Sequence, residues 1–215
     1  QATQKRVVVY GSAGIGKSTF VSYATHAWAE GKLWPEFEMV LCIRLRNINE
    51  SFFPRGRSYT PYDFLKREHE ALQLDFQELL NDSQLLSKTL LILDGYDELP
   101  HEAGSNKGHL YSTFEALKKL FPHILITSRP GSIGLTCSCE FEILGFNDTQ
   151  MEKYMAAFFD HVQGSKSESA QKLRGYLDKT PLAKSLSHIP INLTMLCSLF
   201  QYNPNLFEAE TSLTL

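Results

Sequence analysis

Gly11-Ser12-Ala13-Gly14-Ile15-Gly16-Lys17-Ser18-Thr19 is the stretch that decides the fold. It satisfies G-x-x-x-x-G-K-[ST] in full. Its flanks give the string its meaning. The apolar run Val7–Tyr10 precedes it, and the helix-forming stretch Ser18–Glu30 follows. Glycines let backbone N–H groups turn inward around an anion, and a helix N-terminus adds the positive end of its dipole. In such a loop Lys17 reaches the β- and γ-phosphates of a nucleoside triphosphate, and the Ser18 hydroxyl ligates Mg²⁺. All nine residues are therefore read as nucleotide-binding. The competing reading is a chance glycine-rich turn, and the strand before it and helix after it weigh against that.

Working outward, five strand-like apolar runs stand out: Arg6–Tyr10, Met39–Leu45, Thr89–Leu93, His123–Thr127 and Glu140–Leu144. The first, third and fourth are almost continuously apolar, the mark of strands buried on both faces. Helical stretches alternate with them. Ser18–Glu30 stops at Gly31, Tyr62–Leu80 starts beside Pro61, and Leu110–Leu120 ends before Pro122. This alternation predicts an α/β, three-layer P-loop NTPase fold with a five-stranded parallel sheet. After Leu144 only helical periodicity remains. Asn147-Asp148-Thr149 is an N-cap cluster for a helix through Phe159, and Gly164–Ser167 is a polar loop. Further helices are expected at Ala170–Lys179, Pro181–Leu186 and Pro190–Phe200. The expected organisation is a nucleotide-binding domain over 1–146 and a small helical domain over 147–215.

A second stretch completes the site. Thr89-Leu-Leu-Ile-Leu-Asp94-Gly95-Tyr96-Asp97-Glu98 is a hydrophobic strand that delivers Asp94 toward the P-loop. Such an aspartate holds Mg²⁺. Asp97 or Glu98 is the candidate to orient or deprotonate the attacking water. Three carboxylates in five residues repel each other unless a cation sits among them. A solvated acidic strand exit is the plainer reading. Another strand lies between these two in sequence, which suggests the NTPase class whose sheet also separates them. The fourth strand ends at Thr127-Ser128-Arg129, where Arg129 is placed to distinguish triphosphate from diphosphate by a charge-assisted contact. A guanine reader carries N-K-x-D. Asn106-Lys107-Gly108-His109 has histidine at the last position and follows the wrong strand, so ATP or ADP is favoured.

Composition narrows the class. Of 215 residues, 21 are basic and 24 acidic, a net charge of −3 that argues against a general nucleic-acid binder. The hydrophobic fraction, 43%, supports a full core. No apolar run approaches the roughly 18 residues of a membrane helix. Gln1–Arg6 runs straight into a strand without a leader pattern, and the missing initiator Met is read as a fragment of a longer protein. Cys42 and Cys197 read as core residues. Cys137 and Cys139 lack metal partners, so a reducing, cytoplasmic setting is expected.

The combination of the P-loop with Leu-Leu-Ile-Leu-Asp94-Gly-Tyr-Asp-Glu-Leu99 and Leu-Ile-Thr-Ser-Arg129-Pro resembles the NACHT family of signal-transducing P-loop NTPases, which includes the NOD-like receptors of innate immunity. The small residue after Asp94, with the acidic pair displaced to Asp97-Glu98, is the most family-specific feature. Leu144-Gly-Phe146 followed by Lys153-Tyr154 looks like the approach to the family's first helical domain. Ile189-Pro190 with Leu193 looks like the motif whose proline packs on adenine, so Tyr154 and Pro190 join the cofactor-binding set by resemblance. The resemblance covers roughly residues 3 to 200. It implies an ATP/ADP-binding, Mg²⁺-dependent switch with slow hydrolysis. The ADP form would be closed and monomeric, and ATP would open it for homo-oligomerisation. It also implies a fragment that stops short of the winged-helix, sensor-repeat and effector domains. A stand-alone turnover enzyme, such as a small-molecule or nucleotide kinase, is the alternative, although no Arg-rich lid is visible.

Overall fold

The computed structural model describes residues 5–72, 74–131, 137–163 and 168–203. The expected loop Gly164–Ser167 lies outside the described residues. Contacts divide the chain into two compact units. The first runs to Ile143. The second opens at Leu144 and takes in the P-loop residues Ala13–Gly16.

The first unit is built on five parallel strands: β1 (Lys5–Tyr10), β2 (Met39–Arg44), β3 (Thr89–Asp94), β4 (His123–Ser128) and β5 (Cys139–Glu142). Their order is β2-β3-β4-β1-β5. β3 is buried along its whole length, as its unbroken Leu-Leu-Ile-Leu run requires. An extra strand does separate the P-loop strand from the Asp94 strand, and it is β4. β2, which lies between them in sequence, is at the sheet edge. β5 is shorter than Glu140–Leu144 because β1 ends at Tyr10. That residue pairs with Glu142, and its carbonyl takes the Ile143 N–H at 2.8 Å as the last bond of the ladder.

Period-two alternation sends successive side chains to opposite faces. Val8, Leu41, Ile43, Leu91, Leu93, Ile124 and Ile126 join one core. It is closed by α2 (Pro61–Glu68), α3 (Phe76–Asn81), α4 (Ser83–Ser87), α5 (His101–Gly104) and α6 (Tyr111–Leu120). Val9, Leu90, Ile92 and Leu125 form the other, with Val21 and Phe20 of α1 (Lys17–Ala29) against it. α1 stops where expected: the Lys32 N–H returns to the Ala27 carbonyl and the Gly31 N–H to Trp28, both at 2.8 Å.

The expected single helix Tyr62–Leu80 is instead α2 followed by α3, with α4 close behind. Asp75 caps the new start within that stretch, and Asp82 caps α4 just beyond it. Asp75 accepts the Gln77 N–H at 2.8 Å, and Asp82 accepts those of Gln84 and Leu85. Each starts a new helix, as short polar side chains do when they compete for backbone donors. α5 lies in a stretch that sequence periodicity did not mark.

The second unit is helical: α7 (Asp148–Gln163), α8 (Glu168–Lys179), α9 (Pro181–Ser187) and α10 (Pro190–Tyr202). Met151, Met155, Phe159, Leu173, Leu177, Leu193, Cys197 and Phe200 fill its centre.

Leu91 is wholly buried at the middle of β3. Leu91→Ala should lower stability by about 3 kcal/mol through lost burial and a cavity. Tyr23→Ala, at a ring that is 67% exposed on α1, should change it by less than about 0.5 kcal/mol. Urea unfolding followed by circular dichroism separates the two.

Candidate functional site

The carboxyl ends of β1, β4 and β3 lie side by side, the place where open α/β sheets hold ligands. Each end contributes one chemical element. After β1, the Gly11 N–H donates to the Ser128 carbonyl at 3.0 Å and fixes the start of the P-loop to β4. Gly16 has φ 105°, a left-handed value that favours glycine, as the loop turns into α1. Lys17 Nζ donates to the carbonyls of Gly11 at 2.8 Å and Ser12 at 3.2 Å. Its ammonium therefore sits over the loop and not in bulk water.

β3 delivers Asp94, which is only 9% exposed. Its Oδ2 accepts the Ser18 hydroxyl at 2.8 Å, which joins the first turn of α1 to the end of β3. Its Oδ1 accepts the Thr127 hydroxyl at 2.6 Å. Both partners are neutral hydroxyl donors. A carboxylate next to a hydroxyl is an all-oxygen pair of the kind that suits a hard divalent cation such as Mg²⁺. Among the described residues no group of three or more His, Cys, Asp and Glu is arranged to hold a metal alone. A cation held by Ser18 and Asp94 would therefore draw on phosphate and water oxygens for the rest of its shell, the usual habit of Mg²⁺.

Beyond Asp94 the chain turns through Gly95 at φ 79°, where glycine meets no steric penalty. A short 3₁₀ turn, Tyr96–Glu98, follows. Asp97 and Glu98, expected together as candidates for the water, have different surroundings. Asp97 Oδ2 pairs with Arg129 Nε at 2.8 Å, and its Oδ1 accepts the Arg129 backbone N–H at 3.0 Å. Its side chain is 8% exposed, whereas that of Arg129 is 53% exposed. Glu98 is exposed and makes no ion pair with a described residue. Sequence reading named Arg129 and Asp97 separately and missed that they are partners.

Thr127 was also missed as a site residue. The available signal was a polar residue of the same parity as Leu125, directly after the apolar run Ile124-Leu125-Ile126. Cys42, on β2, is no rival centre. Burial, then the negative charges of Asp94 and Glu68, push its thiol up to about 12, so it is not a thiolate at neutral pH. All four cysteines are free.

In the second unit, Pro190 opens α10 at its first turn. Tyr154 packs between Phe146 and Phe158, with ring centroids 5.5 and 6.4 Å away. The Thr194 hydroxyl donates to the Pro190 carbonyl at 2.9 Å, so the Tyr154 hydroxyl donates to Thr194 Oγ1 at 2.6 Å. Thr194 thus connects the two residues that the resemblance singled out.

Comparison with known proteins agrees with this picture. The NACHT domain model matches residues 5–162. The chain is 27% identical over 217 residues to NACHT, LRR and PYD domains-containing protein 12 of Homo sapiens, covering 92% of this chain and 19% of that protein. It is 29% identical over 220 residues to the MHC class II transactivator of Homo sapiens, covering 90% and 18%. The chain thus spans about a fifth of the length of these relatives. Among solved structures, the Walker-type ATPase paby2304 of Pyrococcus abyssi shares the fold, with a TM-score of 0.52 at 12% identity over 93% of this chain and 63% of that one. No described helix is long and apolar enough to cross a membrane. With its P-loop, its Asp94 strand and a family match over most of its length, the chain belongs to the NACHT family of P-loop NTPases.

Proposed function

We propose that this chain is an ATP/ADP-binding switch module that uses Mg²⁺, hydrolyses ATP slowly and controls homo-oligomerisation of its full-length protein in innate-immune-type signalling. The observation that carries the reading is the convergence of Lys17, Ser18 and Asp94 at the carboxyl ends of β1 and β3, the two strands that flank β4. Mg²⁺, when bound with nucleotide, neutralises charge on the phosphate oxygens. Lys17 exchanges two loop carbonyls for phosphate oxygens, a charge-assisted and stronger contact. Ser18 turns its hydroxyl proton away from Asp94 and offers a lone pair. The relatives' length supports a module acting within a larger protein, and the four free cysteines motivate a reducing, cytoplasmic setting.

The hydrolytic roles divide as the surroundings of the two acids do. Glu98 is open to solvent and holds the attacking water. Asp97 is a positioning residue. It holds Arg129 by Nε, which leaves the two terminal nitrogens to meet a γ-phosphate and to distinguish triphosphate from diphosphate. Tyr154 and Pro190, joined through Thr194, serve the adenine. A proline ring at a helix start offers an apolar face without an N–H to satisfy.

Lys17→Ala should abolish ADP and ATP binding. Titration of a fluorescent nucleotide against both proteins checks this, and equal affinities would reject the nucleotide site itself.

Glu98→Gln should slow single-turnover release of γ-phosphate by roughly 10²-fold with little change in nucleotide affinity, the usual scale for a lost general base. Asp97→Asn should instead lower the ATP-to-ADP affinity ratio, in step with Arg129→Ala. If Glu98→Gln hydrolyses at the parent rate, Glu98 does not hold the water.

The parent protein should prefer ADP over GDP by about 1–3 kcal/mol, because a guanine would leave polar groups unpaired in an adenine pocket. Competition binding measures this. Pro190→Ala should bring the two nucleotides closer together, and an unchanged preference would remove Pro190 from the site.

A further inference from the structure

The hydroxyl of Thr127 both donates and accepts, and its two partners are the last residue of the strand that carries the metal-site carboxylate and the residue that follows it. Thr127 is 0% exposed at the end of β4. The register pairs Leu93 with Ile126, so the next residues along the two strands, Asp94 and Thr127, are also neighbours. The Gly95 N–H donates to Thr127 Oγ1 at 2.8 Å. An N–H has no other role to play, so Oγ1 accepts there. The single hydroxyl proton is then left for Asp94 Oδ1, at 2.6 Å. Ser18 takes the other oxygen, Oδ2, at 2.8 Å.

The two carboxylate oxygens are therefore unequal. Oδ1 faces a buried, β-branched side chain whose rotamer is stiff. Oδ2 faces the first turn of α1, where Ser18 stands. From this we infer that Thr127 is a positioning residue for the cation site: it fixes the rotation of the Asp94 carboxylate so that Oδ2 is the oxygen presented beside Ser18. The inference rests on the nucleotide-site reading above and gives a role to Thr127 of the Leu-Ile-Thr-Ser-Arg129-Pro stretch, where only Arg129 had one.

The chemistry sets the expected size. Partners that orient a metal-binding group through a hydrogen bond are typically worth 10- to 100-fold in metal affinity. Removing the Thr127 hydroxyl also leaves two buried polar groups, the Gly95 N–H and Asp94 Oδ1, without a partner. Thr127 does not touch the P-loop lysine in this arrangement, so nucleotide binding without metal should be spared.

The test compares ADP affinity with Mg²⁺ and with chelator, by calorimetry, for the parent, Thr127→Val and Thr127→Ser. Binding of Mn²⁺ in the presence of ADP, read from the free-ion electron paramagnetic resonance signal, gives a second readout that does not involve catalysis. Thr127→Val, which keeps shape and loses the hydroxyl, should reduce the metal-dependent gain by about tenfold and leave metal-free ADP affinity within about twofold. Thr127→Ser should keep most of the gain. In an Asp94→Asn background, Thr127→Val should cost nothing further in metal dependence, as expected when one residue acts through the other. If Thr127→Val does not fold, Thr127→Cys takes its place, and the expectation is the same loss relative to serine. The inference is overturned if the valine (or cysteine) variant keeps the parent's metal dependence, if serine loses as much as valine, or if the losses add in the Asp94→Asn background. Lys17→Ala separates this outcome from failure of the underlying reading. If that variant abolishes ADP binding while Thr127→Val keeps the metal gain, the site stands and only the role of Thr127 falls. If Lys17→Ala binds ADP normally, both fall.

Discussion

The site of this NACHT domain depends on one buried carboxylate. Asp94 holds Ser18 with one oxygen and Thr127 with the other, so it binds the first turn of α1, the end of β3 and the end of β4 together. Hydrogen bonds to an ionised group are worth about 1.5–3 kcal/mol each, more than neutral ones. The cost of keeping a carboxylate at 9% exposure has to be met by such contacts. The sheet order makes the arrangement possible. With β4 between β1 and β3, the P-loop and Asp94 stand one strand apart, and the residue that fills the gap, Thr127, can touch the acid directly.

Much of this was legible in the sequence because it lies in local patterns. The P-loop reads from nine adjacent residues with a strand before and a helix after. β3 reads as a strand because four successive apolar residues need burial on both faces. The parallel sheet follows from strand and helix alternation. The strand order is not local: that a strand would separate β1 from β3 was expected, but which strand it is, β4, was not assigned. Partners far apart in the chain were equally invisible. Arg129 and Asp97 are 32 residues apart, and Thr194 is 40 from Tyr154. Each was recognisable by type, but what it touches depends on a strand pairing or a helix packing that no short window records. The split of Tyr62–Leu80 failed for a different reason. Its average composition favours helix, but Asp75 intercepts the Gln77 backbone donor and starts a new helix within it.

The second unit shows the same division. Its helices were visible from periodicity, with proline at the first turn of α9 and α10 as expected of a residue that lacks an N–H to satisfy there. The hydrogen bonds that organise it were not. The segment before α7 is bound to the end of α9 by a reciprocal pair. The Phe146 N–H donates to the His188 carbonyl at 2.7 Å, and His188 Nδ1 meets the Phe146 carbonyl at 2.6 Å. That pair fixes Phe146 against Tyr154, and Tyr154 in turn reaches Thr194.

The crowding of acids after β3 was the one electrostatic difficulty the sequence posed, and the backbone resolves it. Three carboxylates within five residues would raise one another's energy if they shared an environment. Gly95, at φ 79°, reverses the chain immediately after Asp94 and gives its N–H to Thr127. A side chain there would be strained by that φ, and its Cβ would lie 3.3 Å from the Glu98 carboxyl carbon. Because the turn begins at Gly95, Asp97 swings back to the end of β4, where Arg129 neutralises it, and Glu98 is left facing solvent. Asp94 stays inside with its hydroxyl donors. The small residue after the strand is therefore not a spacer. It is what allows three like charges to occupy three different environments.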